Sequence, residues 1–215
     1  MTNNRHYSSL DKLCLGLDQA LRAVFGKATT TERLSPATDE AEAELTAAQR
    51  KATIGLMRVN HAGEVCAQAL YHGQSLISRD PLLREKMRQA AIEEGDHLAW
   101  CHQRLEELGS HTSYLNPVWY IGSFTIGLTA GLIGDEWSLG FVAETENQVV
   151  KHLEHHLSLL PVEDQKSIKI LQQMRQDEAL HRDEAITAGA ATLPQGIKKL
   201  MNVVSKIMVK TAFWI

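Results

Sequence analysis

Apolar residues along this chain recur at intervals of three and four, and the alternating apolar–polar runs that make strands are scarce. Leu10, Leu13, Leu17, Leu21 and Val24 fall on one stripe of a helix predicted over residues 8–25. Residues 27–44, rich in Thr, Ala and Glu and interrupted by Pro36, read as a linker. A long helical stretch over about residues 46–78 is broken at Asp80-Pro81, and Pro81 suits the first turn of the next helix, which runs to about Gly109. Residues 110–117 form a loop, and residues 117–134, PVWYIGSFTIGLTAGLIG, carry no charge. Further helices are predicted over 135–160, closed by Pro161, and over about 163–190. Pro194-Gln195-Gly196 separates these from a short C-terminal helix. The expectation is an all-α protein: an N-terminal helix and linker in residues 1–45, then a four-helix bundle domain in residues 46–215 with smaller helical additions.

Composition narrows the class without changing that picture. The chain has 215 residues, enough for one substantial core, with 44% hydrophobic and 22% charged residues. A net charge of -4 gives no electrostatic case for nucleic acid. Cys14, Cys66 and Cys101 form no CxxC pair, as expected of thiols kept reduced. The opening residues MTNNRHYSSLDKL lack both the apolar run of a signal peptide and the basic, acid-free character of a transit peptide, so a bacterial cytoplasmic protein is the simplest reading.

The candidate chemistry lies in two Glu-x-x-His spacings, Glu94 with His97 and Glu178 with His181. Residues three apart share a helix face, so each pair can hold one ion. A single pair is weak evidence of a site, because about one such spacing is expected by chance in a chain this rich in Glu and His. The surroundings carry more weight. Met87, Ala90, Ala91, Leu98, Cys101 and Leu105 share a face with Glu94, while Leu171, Met174, Ala185 and Ala188 share one with Glu178. Carboxylates on core-facing stripes need a compensating cation, and neither stripe offers Lys or Arg nearby. The preceding helices supply Glu64, with Met57, Ala67 and Tyr71 on its face, and Glu146, flanked by Leu139, Val142, Val149 and Leu153. Glu144 shares a mostly polar face and reads as solvated. Glu64 precedes Glu94/His97 by nearly the separation at which Glu146 precedes Glu178/His181, as two similar helix hairpins would. Four carboxylates and two imidazoles suit iron, with manganese as an alternative, better than zinc.

The segments RVNHAGE (58–64), EEGDH (93–97) and DEALHRDEA (177–185) together closely resemble the demethoxyubiquinone hydroxylase family, the di-iron monooxygenases of ubiquinone biosynthesis. The resemblance covers about residues 46–215 and implies a ferritin-like fold. It implies that Glu64, Glu94, His97, Glu146, Glu178 and His181 hold two irons, with Glu94 and Glu178 bridging and Glu64 and Glu146 terminal. The implied reaction takes O2 and a polyprenylated methoxy-methyl-benzoquinone, puts one oxygen atom on the ring and releases the other as water. No GxGxxG fingerprint is present, so an external reductant, or one acting through bound quinone, is expected. A homo-oligomer or a complex of quinone-biosynthesis proteins remains open.

A membrane-embedded quinone calls for lipid contact. Residues 117–134 sit at the lower length limit for a spanning helix. Were they to span, Glu146 and Glu178 would lie across the bilayer from Glu64 and Glu94, so a monotopic element is expected, with an internal core helix as the alternative. Gly122, Gly127, Gly131 and Gly134 also weaken it as a lone helix. Residues 197–215 mix Lys198, Lys199, Lys206 and Lys210 with Leu200, Met201, Val204, Ile207, Met208, Phe213 and Trp214, which suits an interfacial helix or a cap on the bundle. Peripheral attachment to the cytoplasmic face of the inner membrane follows as the expectation. His61 reads either as support for Glu64 or as a core histidine; His155 reads as solvated, and His152 as a candidate for a substrate or proton path. Trp100, Trp119 and Trp137 read as core or interfacial aromatics. The competing functions are a ferritin-like iron-storage or peroxide-reducing protein and a metal-free lipid-binding scaffold.

Overall fold

A computed structural model describes residues 8–25 and 28–215. Among the described residues seven helices make up the fold: α1 Ser9–Phe25, α2 Ala47–Ile77, α3 Pro81–Glu107, α4 Asn116–Ile133, α5 Asp135–Leu159, α6 Gln165–Thr187 and α7 Gln195–Ala212. There is no strand among the described residues. The first seven residues, part of the stretch read as leaderless, lie outside the described residues, as do Gly26, Lys27 and the side chain of Leu13.

Helix boundaries follow local chemistry. Thr46 starts α2 with a capping box: its hydroxyl accepts from the Gln49 backbone N–H, and the Gln49 side chain accepts in return from the Thr46 N–H. Asp80 caps α3 by accepting from Leu82 N at 2.8 Å, with Pro81 next in line. Gly109 stops α3 with φ 68, a left-handed conformation that Gly adopts freely. Asp164 caps α6 through Ser167 N at 3.1 Å.

Helices α2, α3, α5 and α6 form the ferritin-like four-helix bundle. α2 and α3 pair through a short turn, as do α5 and α6. The long link between the hairpins is α4. It lies along α2 in the same direction, with Asn116 near His61 and Gly131 near Ile77. This returns the chain to the end where α2 finished, so α5 runs back antiparallel to α2. Asn60 there meets His156, and Tyr71 meets Glu146. Asp135 fixes the start of α5 by accepting from Ser78 Oγ at 3.0 Å and Asp80 N at 3.2 Å.

The glycines of α4 make a seam rather than a weakness. A Cβ on Gly127 would meet the Leu70 carbonyl, and one on Gly73 of α2 would meet the Phe124 carbonyl. The two backbones therefore touch, which brings dispersion contacts that larger residues would prevent. One face of α4 is thus a core element, while Val118, Ile121, Leu132 and Ile133 remain exposed. Among the described residues no helix is long and apolar enough to cross a membrane.

Helices α1, α4 and α7 form a second layer around α2. Ala20, Ala23 and Val24 of α1 pack against Val65, Ala69, Leu98, Tyr120 and Phe124. Its leucines Leu10, Leu17 and Leu21 point outward. The end of α7 closes over Val59, Ala62 and Trp119.

The stretch read from sequence as a linker over residues 27–44 belongs to a packed strap, residues 28–46, over the outside of α3 and α6. Glu42 in this strap pairs with Arg104, whose guanidinium, 1% exposed as a residue, also bonds Asp164 at 2.9 Å and Ser167 at 3.0 Å. So enclosed a cation needs every one of these partners. Glu144, expected to be solvated, is largely covered because Lys198 of α7 pairs with it at 2.9 Å.

Candidate metal centre

Each helix of the bundle brings one element of the centre. α2 supplies Glu64, α3 supplies Glu94 and His97, α5 supplies Glu146, and α6 supplies Glu178 and His181. The five groups other than His181 are at most 3% exposed as residues, and the His181 side chain is 10% exposed. The structure brings all six predicted residues to one place inside the bundle. Ligand atoms of Glu64, Glu94, His97 and Glu178 lie within 4.8 Å of one another.

The carboxylates of α3 and α6 are shared between the two histidines. Glu94 places Oε2 at 3.1 Å from His97 Nδ1 and Oε1 at 3.1 Å from His181 Nδ1. Glu178 places Oε1 at 3.0 Å from His97 Nδ1 and Oε2 at 3.4 Å from His181 Nδ1. Glu64 stands on the His97 side, at 3.6 Å. Glu146 stands across from it, held by the Tyr71 hydroxyl, which donates to Oε1 at 2.8 Å.

A hydrogen-bond network does not account for this arrangement. One imidazole N–H can point at one oxygen, yet three carboxylates from three helices converge on His97 Nδ1. Glu64 Oε2, Glu94 Oε1 and Glu146 Oε2 are buried without a hydrogen-bond donor; the 3.1 Å approach of His181 to Glu94 lacks the alignment of one. Unpaired carboxylate oxygens inside a protein are costly, and a bound cation compensates them. The set therefore fits a metal, and the oxygen-rich, two-imidazole donor chemistry fits iron or manganese.

The electrostatics agree. Burial, with Glu94 and Glu178 close by, pushes the Glu64 carboxyl well above its usual range. Burial and the charges of Glu178 and Glu94 do the same to Glu146. Burial opposes ionisation of Glu94 as well, but the imidazoles of His181 and His97 beside it hold it low. Burial would favour neutral imidazoles, yet the surrounding carboxylates drive His97 and His181 strongly upward. Protons thus stand where a metal's charge would serve.

Two carboxylates outside the predicted set complete the geometry. The outer nitrogen of His97, Nε2, donates to Asp177 at 2.9 Å, and that of His181 donates to Glu93 at 3.1 Å. Asp177 opposes its burial with bonds from His97 and from Arg33, and sits at about 2. Each acid immediately precedes one of the two shared glutamates and serves the histidine of the other hairpin. The doublets Glu93-Glu94 and Asp177-Glu178 were the available sequence signal. The apolar cluster of Ala67, Leu83, Met87, Ala91, Leu139, Val142 and Ala185 surrounds Tyr71.

The remaining histidines resolve differently. His61 is a buried core residue with Asn116 Nδ2 3.4 Å from its Nδ1, and no bond to Glu64 is present. Burial, with His102 nearby, lowers its pKa to about 3. His156 bonds Asn60 at 2.9 Å, and His152 lies against it with ring centroids 3.8 Å apart. His155 is exposed, as read from sequence. Trp100 is buried, with its ring centroid 5.4 Å from that of His97.

Residues 51–212 match the family model described as "Ubiquinone biosynthesis protein COQ7". A 3-demethoxyubiquinol 3-hydroxylase of Nitrosococcus oceani is 56% identical over 211 residues, 98% of this chain and 99% of that protein. The protein of the same name from Acinetobacter baumannii is 53% identical over 211 residues, 98% of this chain and 100% of its own. That of Polynucleobacter necessarius is 55% identical over 207 residues, 96% and 99% of the two chains.

Proposed function

The chain belongs to the family of the ubiquinone biosynthesis protein COQ7, and from that premise we propose that it is the monooxygenase that hydroxylates the ring of a polyprenylated demethoxyubiquinone-type substrate with O2. Glu64, Glu94, His97, Glu146, Glu178 and His181 would hold two irons. Bound there, iron supplies the activation of O2 and the redox chemistry that ring hydroxylation requires. The observation that carries the reading is the sharing of Glu94 and Glu178, each offering one oxygen to each histidine, as residues that bridge two ions do.

The chain's own groups have separable duties. Glu94 and Glu178 tie the α2–α3 half to the α5–α6 half. Tyr71 fixes the orientation of Glu146 by giving its phenol proton to Oε1. Asp177 and Glu93 hold the protons of the two Nε2 atoms and so turn both Nδ1 atoms inward. The apolar wall formed by Leu83, Met87, Ala91, Leu139 and Val142 keeps bulk water from one side of the centre and suits an apolar ring. Electrons enter from an external reductant.

The substrate's lipid solubility gives the second layer its use. Exposed Leu10, Leu17 and Leu21 of α1, Ile121 and Leu132 of α4, and Leu200, Val203 and Ile207 of α7 are available to a bilayer. Lys199, Lys206 and Lys210 of α7 favour anionic lipid. The protein attaches peripherally to the cytoplasmic face of the inner membrane.

The test is to supply iron-loaded, chemically reduced protein with the demethoxy quinol and O2 and to weigh the product. A quinone heavier by one oxygen atom is expected. Iron oxidation and O2 consumption with no hydroxylated quinone would return the protein to the iron-storage reading, which the names of the relatives disfavour.

A further inference from the structure

The strap of residues 28–46 makes close contacts on the helix segment that carries Glu94 and His97. The Thr29 carbonyl occupies the space a Cβ on Gly95 would need. Thr31 donates its backbone N–H to Asp96 Oδ1 at 3.0 Å, and its hydroxyl donates to Asp96 Oδ2. Glu32 turns the chain with φ 65, an uncommon conformation for a residue with a side chain. Arg33 then reaches inward. Its Nη2 donates to Asp177 Oδ2 at 2.7 Å, its guanidinium lies 4.9 Å from the centroid of the Trp100 ring, and its carbonyl accepts from Trp100 Nε1 at 3.3 Å. Asp177 Oδ2 is the same oxygen that takes the proton of His97 Nε2, and its Oδ1 accepts from Gln173 at 2.9 Å.

The other half has no equivalent. Glu93 accepts from His181 and, at 3.1 Å, from Gln89. Among the described residues no Lys or Arg forms an ion pair with it. The Glu93 side chain is 35% exposed against 11% for Asp177, and that of His181 is 10% exposed against 0% for His97. Three donors and a longer path to water immobilise one outer carboxylate, while the other can swing into solvent.

We infer that Arg33 and Asp177 are positioning residues through which the N-terminal strap locks the His97 ring, so that the metal held at His97 exchanges slowly and the metal held at His181 exchanges fast. The inference rests on the two-iron reading above. A fixed imidazole cannot rotate off its ion, and a departing ion needs either that rotation or a competing ligand from water. Loss of an outer carboxylate partner typically costs about 10- to 100-fold at a metal site, which sets the scale of the expected change in release rate. The guanidinium's charge works against a cation behind Asp177, which is why the difference is expected in exchange rate rather than in equilibrium affinity.

The experiment loads the full-length protein with ferrous iron under anaerobic conditions and follows iron release to excess ferrozine. The wild type is expected to release its iron in two phases of equal amplitude, with rates about tenfold or more apart. Arg33→Ala and Asp177→Asn should accelerate the slow phase about tenfold and leave the fast phase unchanged. Glu93→Gln should accelerate only the fast phase, and Arg33→Lys should restore part of the slow one. A merely structural role for the strap would move both phases together and would overturn the inference. Wild-type protein that binds two irons and releases them in a single phase overturns the inference alone. Protein that binds no iron overturns the two-iron reading and the inference with it.

Discussion

The two helix hairpins hold matching candidate ligands in unlike surroundings. The α2–α3 hairpin is wrapped: α1, α4 and α7 cover α2, and the strap covers α3. The α5–α6 hairpin keeps much of its outer face in water, where Leu159, Leu180 and Ile186 stand exposed. The repeated Glu, Glu-x-x-His spacing is therefore a symmetry of chemistry only. It reaches as far as the six convergent side chains and the two acids behind the histidines, and it stops where substrate delivery begins.

The largest effect should come from breaking what the halves share. Glu94→Ala or Glu178→Ala is expected to abolish hydroxylation and to lose both irons, with helical circular dichroism retained. Iron content near two per chain with normal turnover in either variant would refute the bridging roles. The next effect separates the wrapped half from the open one. Gly73→Ala forces a methyl group into the Phe124 carbonyl and should cost about 1–3 kcal/mol. Leu180→Ala, on the exposed face of α6, should stay within about 0.5 kcal/mol. Denaturant unfolding of both variants compares the halves directly, and equal losses would deny that α4 is built into the core.

A third prediction concerns the polar contact where the two halves meet. Burial, with His152 and His155 beside it, lowers His156 to about 2, while His61 sits at about 3. Both are neutral in the fold and take up protons near pH 6.5 when unfolded. Their stabilising contribution is therefore complete above pH 6.5 and is lost as pH falls toward the folded values. The slope is about 1.4 kcal/mol per pH unit for each histidine. His72 and His152, lowered by burial to about 4, add to the same fall; His156→Gln should remove one contribution among them, seen as a flatter fall in unfolding free energy between pH 6 and 4. The smallest effect, a several-fold drop in recovery, is expected in vesicle flotation. Removal of residues 197–215 should reduce recovery on anionic vesicles, and Leu180→Asp should not. Undiminished flotation of the truncated chain would move that duty to α1 and α4.

The bundle was legible because prolines and caps mark its helix ends and because the ligand pairs sit on apolar stripes. The convergence of the six side chains could be read for the same reason: residues three apart on a helix share one face. What was hidden depends on contacts between distant residues. Arg33 and Asp177 are far apart in the chain, as are Thr31 and Asp96, and no periodicity links them. Gly95 and Asp96 lie in an acidic helical run, and only the strap shows what each of them meets. Glu144 looked solvated because its own helix face is polar, and its cation arrives from α7. The α4 glycines were read as a helix-weakening feature because propensity describes a helix in water, and this one lies against a neighbour's backbone. Leu10, Leu17 and Leu21 of the predicted α1 stripe stay exposed, while Val24 of that stripe meets the core together with Ala20 and Ala23.

The parallel course of α4 beside α2 also makes it a ruler. Its length sets where Asp135 meets Ser78, and that junction sets how far along α2 each residue of α5 falls, Glu146 included. Lengthening α4 by one turn would advance the chain by about 5.4 Å, as large as the whole spacing between neighbouring ligands. The distance between the two halves of the centre is thus measured out by a helix that contributes no ligand, and loop-length variation tolerated elsewhere on the surface should be refused there.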